Sequence, residues 1–434
     1  MNKETCNNEL MELVDHAVSP FHAVAYVAEQ LRRNGFEPLC LKEQWKLERG
    51  GKYYVIHHGT TLLSFTIGTE FQPEDGFRIA ASHTDFPCFR IKIHPEMTEE
   101  RYQKLNVESY GGLMLNTWMD RPLSVAGRVA VKSEDVFQPD MRLVDLKKPM
   151  ATIPNLAIHM NRDVNKGVEL NKQTDTIPVI GMMPLKTEKE ERADFFVAYV
   201  AKELGVSKEE IINFDLNLYN TERAGYIGME DEFISAPRLD NMTSVHAVAK
   251  AMLNGERKAG INVGAFFDHE EIGSKTKQGA GSMLLNHVME KIYLSLGCSE
   301  LEYKSAIDAS MLLAVDVGHG YHPNQNKKHD PVNKGALNEG INIKQAASQS
   351  YATDSEGIAV VTQICEIYEI PYTQFTNRSD ATSGSTLGSI ASAMLPVMTV
   401  DVGVPLVAMH SARELMGSED QVSLVKLVTK YFSI

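Results

Sequence analysis

Ile261-Asn-Val-Gly-Ala-Phe-Phe-Asp-His-Glu-Glu-Ile-Gly-Ser274 sets an apolar run directly against two adjacent carboxylates, Glu270 and Glu271. The run 261–267 reads as a buried strand. Neighbouring acids repel, and near a core they are costly unless positive charge lies between or beside them. A lone Glu-Glu pair after a strand is most often an exposed acidic turn. A metal site is the other reading: one acid ligates the cation, and the other takes the proton of the water that the cation activates. The surrounding sequence decides between the two.

From about residue 235 onward, strands at 261–267, 311–315 and 397–402 interleave with helical runs at 241–253, 355–368 and 411–432. That alternation predicts a mostly parallel or mixed sheet with helices on both faces. Residues 4–34 read as two helices; Ser19 caps the second, Pro20 suits its first turn and Gly35 follows its end. Strand-like runs follow at 53–57, 62–67 and 77–81. Between about 90 and 225 the texture changes to short alternating segments at 124–131, 141–146 and 175–180, separated by turn residues. A helix near 190–204 and a capping-box start at Ser207 and Glu210 belong to the same stretch. The expectation is an α/β domain of residues 1–89 and 230–434, interrupted by a β-rich insertion at 90–229.

Five metal-ligand candidates lie just past strand ends or at a helix start. His83 follows Phe77-Arg-Ile-Ala-Ala-Ser82, and Asp240 sits in Pro237-Arg-Leu-Asp-Asn241 as the expected N-cap of the 241–253 helix. Glu271 follows 261–267, Asp316 follows Met311-Leu-Leu-Ala-Val315, and His410 lies in Val407-Ala-Met-His-Ser411 after the 397–402 strand. In open α/β sheets the crevice beyond the carboxyl ends of the strands is where ligands bind. Singly, each has a bland reading: a core histidine, a plain cap, a turn former. Together, two imidazoles and three carboxylates suit zinc, with cobalt or manganese as substitutes. The charge count favours two ions: four positive charges meet three carboxylates and one bridging hydroxide. Asp240 is the natural bridge, and Asp85 is placed to accept from His83 and fix its tautomer.

At 434 residues the chain exceeds one ordinary core. A net charge of −14 and a pI near 5.5 argue against nucleic acid as a partner, although a local cationic pocket can still serve acidic substrates. The most apolar stretch, 393–409, contains Asp401, Pro396 and Pro405 and reads as a buried strand, so no membrane association is expected. The N-terminal residues lack a signal peptide's apolar core, and the five scattered cysteines read as reduced thiols. Both point to the cytoplasm.

Five motifs resemble the M18 metallo-aminopeptidases, the aspartyl aminopeptidase group, in that family's order over nearly the whole chain. They are Ala81-Ser-His-Thr-Asp-Phe-Pro-Cys88, Pro237-Arg-Leu-Asp-Asn241, Asp268-His-Glu-Glu-Ile-Gly-Ser274, Ala314-Val-Asp-Val-Gly-His-Gly-Tyr-His-Pro-Asn324 and Asp401-Val-Gly-Val-Pro-Leu-Val-Ala-Met-His-Ser-Ala-Arg-Glu414. The resemblance implies two zinc ions per subunit: His83, Asp240 and Asp316 hold one, and Asp240, Glu271 and His410 the other. It implies Glu270 as general base and Asp85 behind His83. It further implies a di-zinc exopeptidase α/β/α domain, an inserted domain used in dimer contacts, and a dodecamer built from dimers. Ile153-Pro-Asn-Leu-Ala-Ile-His159 is similar to the insertion segment whose histidine reaches a neighbouring active site. His319, Lys344 and Tyr351 match substrate-side groups of the acidic-specific members, which raises a preference for acidic N-terminal residues of peptides. The flanks 335–340 and 378–386 depart from the aspartyl form. Another hydrolase on the same scaffold, a carboxypeptidase or an N-acyl amino acid deacylase, is the rival reading.

Overall fold

The computed structural model describes residues 2–184, 194–381 and 384–434. The chain divides into two compact units: Met1–Asp85 with Ala224–Met409 and Glu414–Ile434, and Phe86–Arg223 with His410–Arg413.

The first unit is organised by a nine-stranded mixed sheet. Its order is Glu37–Pro38, Lys52–His57, Thr61–Ile67, Ile261–Phe267, Phe77–His83, Met311–Val315, Met398–Gly403, Ile341–Gln345 and Tyr372–Thr376. The central four, from Ile261–Phe267 to Met398–Gly403, are mutually parallel. Their residues are buried almost throughout, which is why they read as unbroken apolar runs rather than alternating ones. One face, with Ile79, Ala81, Val263, Ala265 and Leu312, packs on the helices Leu284–Ser295, Glu300–Asp308 and Leu387–Met394. The helix Leu239–Asn254 covers the other face and packs in turn on Asp420–Tyr431 and Lys3–His16. Gly264 permits that close approach: a Cβ there would meet Met252 Cγ at 2.7 Å. A five-stranded sheet of Gly225–Ile227, Phe233–Ala236, Glu414–Gly417, Pro405–Val407 and Gly318–His319 completes the unit.

The second unit is built on a six-stranded antiparallel sheet ordered Asp140–Asp145, Leu123–Val131, Ile211–Asn220, Cys88–Glu99, Tyr102–Tyr110 and Val179–Met182. Leu123–Val131 alternates only weakly, with residues of both faces buried. The helix Phe195–Leu204 packs against Cys88–Glu99 and Asp140–Asp145 in the same unit. Of the helix expected near 190–204, residues 190–193 lie outside the described residues.

Several expectations need correction. The 175–180 segment is mostly turn, with a strand only at Val179–Met182. Ser207 and Glu210 do form a capping box, but it opens a single 3₁₀ turn and the chain then enters the strand Ile211–Asn220. The run 411–432 is not one helix: Glu414–Gly417 is a strand paired with Phe233–Ala236, and the helix begins at Asp420. Tertiary pairing overrides the helical propensity of Arg413-Glu-Leu-Met.

Candidate metal centre

Strand register puts the first ligands side by side. Phe267 pairs with His83, and Ala81 pairs with Ala314, so His83 and Asp316 sit level at the carboxyl ends of neighbouring parallel strands. His83 Nε2 lies 3.4 Å from Asp316 Oδ1 and 3.4 Å from Asp240 Oδ1. One donor atom each from His83, Asp240 and Glu271 falls within 4.8 Å of the others. Four of the five expected ligands therefore converge within the first unit.

Asp240 arrives there differently from the expectation. It is not a side-chain cap but part of a break at the helix start, with Asp240 at φ −79°, ψ 105° and a cis peptide to Asn241. Its main-chain N–H donates to Glu414 Oε2 at 3.0 Å, and Asn241 Nδ2 donates to Val315 O at 3.1 Å. The sequence reading missed Glu414. No local pattern marked it: Glu414 is buried beside Met416 only once Glu414–Gly417 pairs with Phe233–Ala236.

Asp85 also does more than expected. His83 Nδ1 lies 3.0 Å from the Asp85 main-chain oxygen and 3.3 Å from its carboxylate. The carbonyl therefore takes the imidazole. The carboxylate accepts from the main-chain N–H of Glu270 and of Glu271, each at 3.1 Å. One fully buried acid thus fixes the Glu-Glu turn.

The electrostatics follow from so many acids in one place. Burial, reinforced by Asp316, Asp85 and Asp240 against the opposing pull of His83, pushes the Glu270 carboxyl up to about 8. Burial, Asp240 and Glu270 hold Glu271 well above the ordinary carboxylate range. Burial alone would lower His83, but Asp240, Asp316 and Asp85 outweigh it and raise it well above its usual value. Imidazole plus carboxylate oxygens form a donor set that suits a divalent zinc-like cation, and cysteine is absent from it.

The remaining expected residues have surroundings of their own. His410 belongs to the segment His410–Arg413 of the second unit, where its Nδ1 is 3.1 Å from Gly112 O. It follows the short strand Pro405–Val407 rather than Met398–Gly403 directly. Lys344 is fully buried; its ammonium donates to the main-chain oxygens of Asp316 (2.9 Å) and Val317 (3.1 Å) and lies 5.1 Å above the Tyr351 ring. His319 is exposed, 6.4 Å from Phe375 ring to ring. His159 is exposed in a turn of the second unit. Residues 382 and 383 of the 378–386 loop lie outside the described residues.

A family model described as aminopeptidase I zinc metalloprotease (M18) matches residues 13–432. The probable M18 family aminopeptidase 2 of Clostridium novyi is 44% identical over 434 residues, covering 100% of both chains. Among solved structures, Ape4 in its complex with Nbr1 superposes with a TM-score of 0.95 at 32% identity, over 99% of this chain and 86% of that one. The mApe1 dodecamer of S. cerevisiae gives a TM-score of 0.84 at 27% identity, over 99% and 96%. The chain therefore belongs to the M18 family of zinc metallo-aminopeptidases.

Proposed function

We propose that the convergence of His83, Asp240, Glu271 and Asp316 is a two-zinc hydrolytic centre that removes the N-terminal residue of peptides. The observation that carries this is the meeting of the His83, Asp240 and Glu271 donor atoms within 4.8 Å of one another at the strand ends. In the proposed assignment His83, Asp240 and Asp316 would hold one ion, and Asp240, Glu271 and His410 would hold the second. Zinc bound there supplies Lewis acidity toward the scissile carbonyl and toward a bound water.

Glu270 is the proposed general base, taking the water's proton and returning it to the leaving amine. Its turn is tied down through Asp85, so the base and the ligand beside it keep a fixed relation. Lys344, His319 and Tyr351 are proposed to face the substrate's first side chain. A buried ammonium is the feature that supports a preference for acidic residues there. The second unit is proposed to be an assembly domain of a dodecamer built from dimers, with His159 contributing to a neighbouring active site. The mApe1 relative is a dodecamer.

The test is a pair of isosteric changes. Glu270→Gln is expected to keep its zinc and lose roughly 10²–10⁴ in kcat on aminoacyl-p-nitroanilides. Glu271→Gln is expected to lose zinc. If Glu271→Gln remains active with full zinc, the two roles are wrongly assigned.

A further inference from the structure

We propose that Asp120 is the positioning residue for the exposed segment that carries His159; this rests on the reading of His159 given above. The chain leaves the core at Ile153, which is fully buried, while residues 154–160 are all exposed. At that point of departure Met119 and Ile153 form a parallel bridge, and the Asp120 N–H donates to Ile153 O at 2.8 Å. The Asp120 carboxylate then grips the next residue but one. Its Oδ1 accepts from the Asn155 main-chain N–H at 2.9 Å, and its Oδ2 accepts from Asn155 Nδ2 at 2.8 Å.

Beyond the grip, the N–H groups of Met160 and Asn161 both donate to Ala157 O, at 2.8 and 3.1 Å, and close His159 into a tight turn. Among the described residues, no other hydrogen bond ties 154–159 to another segment. The orientation of His159 therefore depends on the pair of hydrogen bonds between residues 120 and 155.

Asp120 holds its own position at φ +63°, the left-handed region that aspartate and asparagine enter more readily than other side chains. Arg121 fixes it from the other side, with Nη1 2.7 Å from Glu222 Oε2 and Nε donating to Thr117 O at 3.3 Å. Both Asp120 and Asn155 are exposed, so the pair adds little to stability. Its effect is on geometry. An imidazole that must meet a reacting group loses up to about 10² in rate for a displacement of about 1 Å.

The experiment is a swap of the two residues in the assembled, zinc-loaded protein. Asn155→Asp sets two carboxylates face to face and is expected to lower kcat about 10- to 100-fold, with zinc content, particle size and KM close to wild type. Asp120→Asn alone is expected to stay within a few-fold of wild type, because the Asn155 amide can turn to accept from the new one. Asp120→Asn added to Asn155→Asp restores both hydrogen bonds, and kcat is expected to return to within about threefold of wild type. His159→Ala is run beside them. If His159→Ala is inactive while Asn155→Asp is fully active, or while the double variant recovers nothing, Asp120 has no positioning role. Loss of the particle in Asn155→Asp would equally overturn it, since the effect would then be on assembly. If His159→Ala is fully active, the reading of His159 falls and this inference falls with it.

Discussion

Replacing Asp85 by asparagine tests the centre at the atom that organises it. The aspartate accepts two main-chain N–H groups through two oxygens, each at 3.1 Å, from the proposed base Glu270 and the proposed ligand Glu271. An asparagine has one oxygen. It can keep one of these bonds, and its amide must then face the other N–H, donor against donor. Asp85 is fully buried beneath the half-buried Glu270 and Glu271, so the abandoned N–H faces a buried amide. Such a group costs about 1–3 kcal/mol, which corresponds to roughly 5- to 150-fold in an equilibrium constant. That range overlaps the 10- to 100-fold loss common when a metal site's outer partners are removed. Zinc affinity measured against a competing chelator is therefore expected to fall by about 10–100-fold, with kcat at saturating zinc falling as the base loses its fixed position. An Asp85→Asn protein with wild-type zinc affinity and wild-type kcat would refute the view that this carboxylate holds the Glu-Glu turn.

At Gly403 an added Cβ would lie 1.7 Å from the Asp316 main-chain oxygen, and that neighbour is backbone; Gly403→Ala is expected to cost about 1–3 kcal/mol and to leave the protein short of zinc by elemental analysis, and full zinc with full activity would contradict this. Light scattering is expected to find a particle of several hundred kilodaltons, with His159→Ala assembling normally yet nearly inactive; a fully active monomer would rule out a neighbour's histidine. For specificity, kcat/KM on Asp- or Glu-terminal against Leu-terminal peptides is expected to favour the acidic ones roughly ten- to a hundredfold, and Lys344→Met to erase the difference. An unchanged ratio in Lys344→Met would remove Lys344 from the substrate pocket.

The strands that carry the centre were legible because a parallel strand buried on both faces leaves an uninterrupted apolar run, as in Ile261–Phe267 and Met311–Val315. The strand Ile341–Gln345 was not, since its buried residues include Asn342 and Lys344, whose polarity is matched only by partners far along the chain. The candidate ligands were picked out by their place after strands or at a helix start, and four of them meet in the structure. How Asp240 is held was not: a cap is a local pattern, whereas the bond from Glu414 spans 174 residues. The same limit applies to Asp85. Its nearness to His83 in sequence pointed to the imidazole, while its carboxylate serves a turn 185 residues away.

The anchoring of the Glu-Glu turn through main-chain N–H groups has a practical consequence. The Glu270 side chain takes no part in that anchorage, so it can be changed without releasing the neighbour that follows it. A Glu270→Gln protein would then be a capture reagent: it would hold peptides by every contact except the one that cleaves them. Peptides recovered from it by mass spectrometry would report the residue it prefers at the N-terminus.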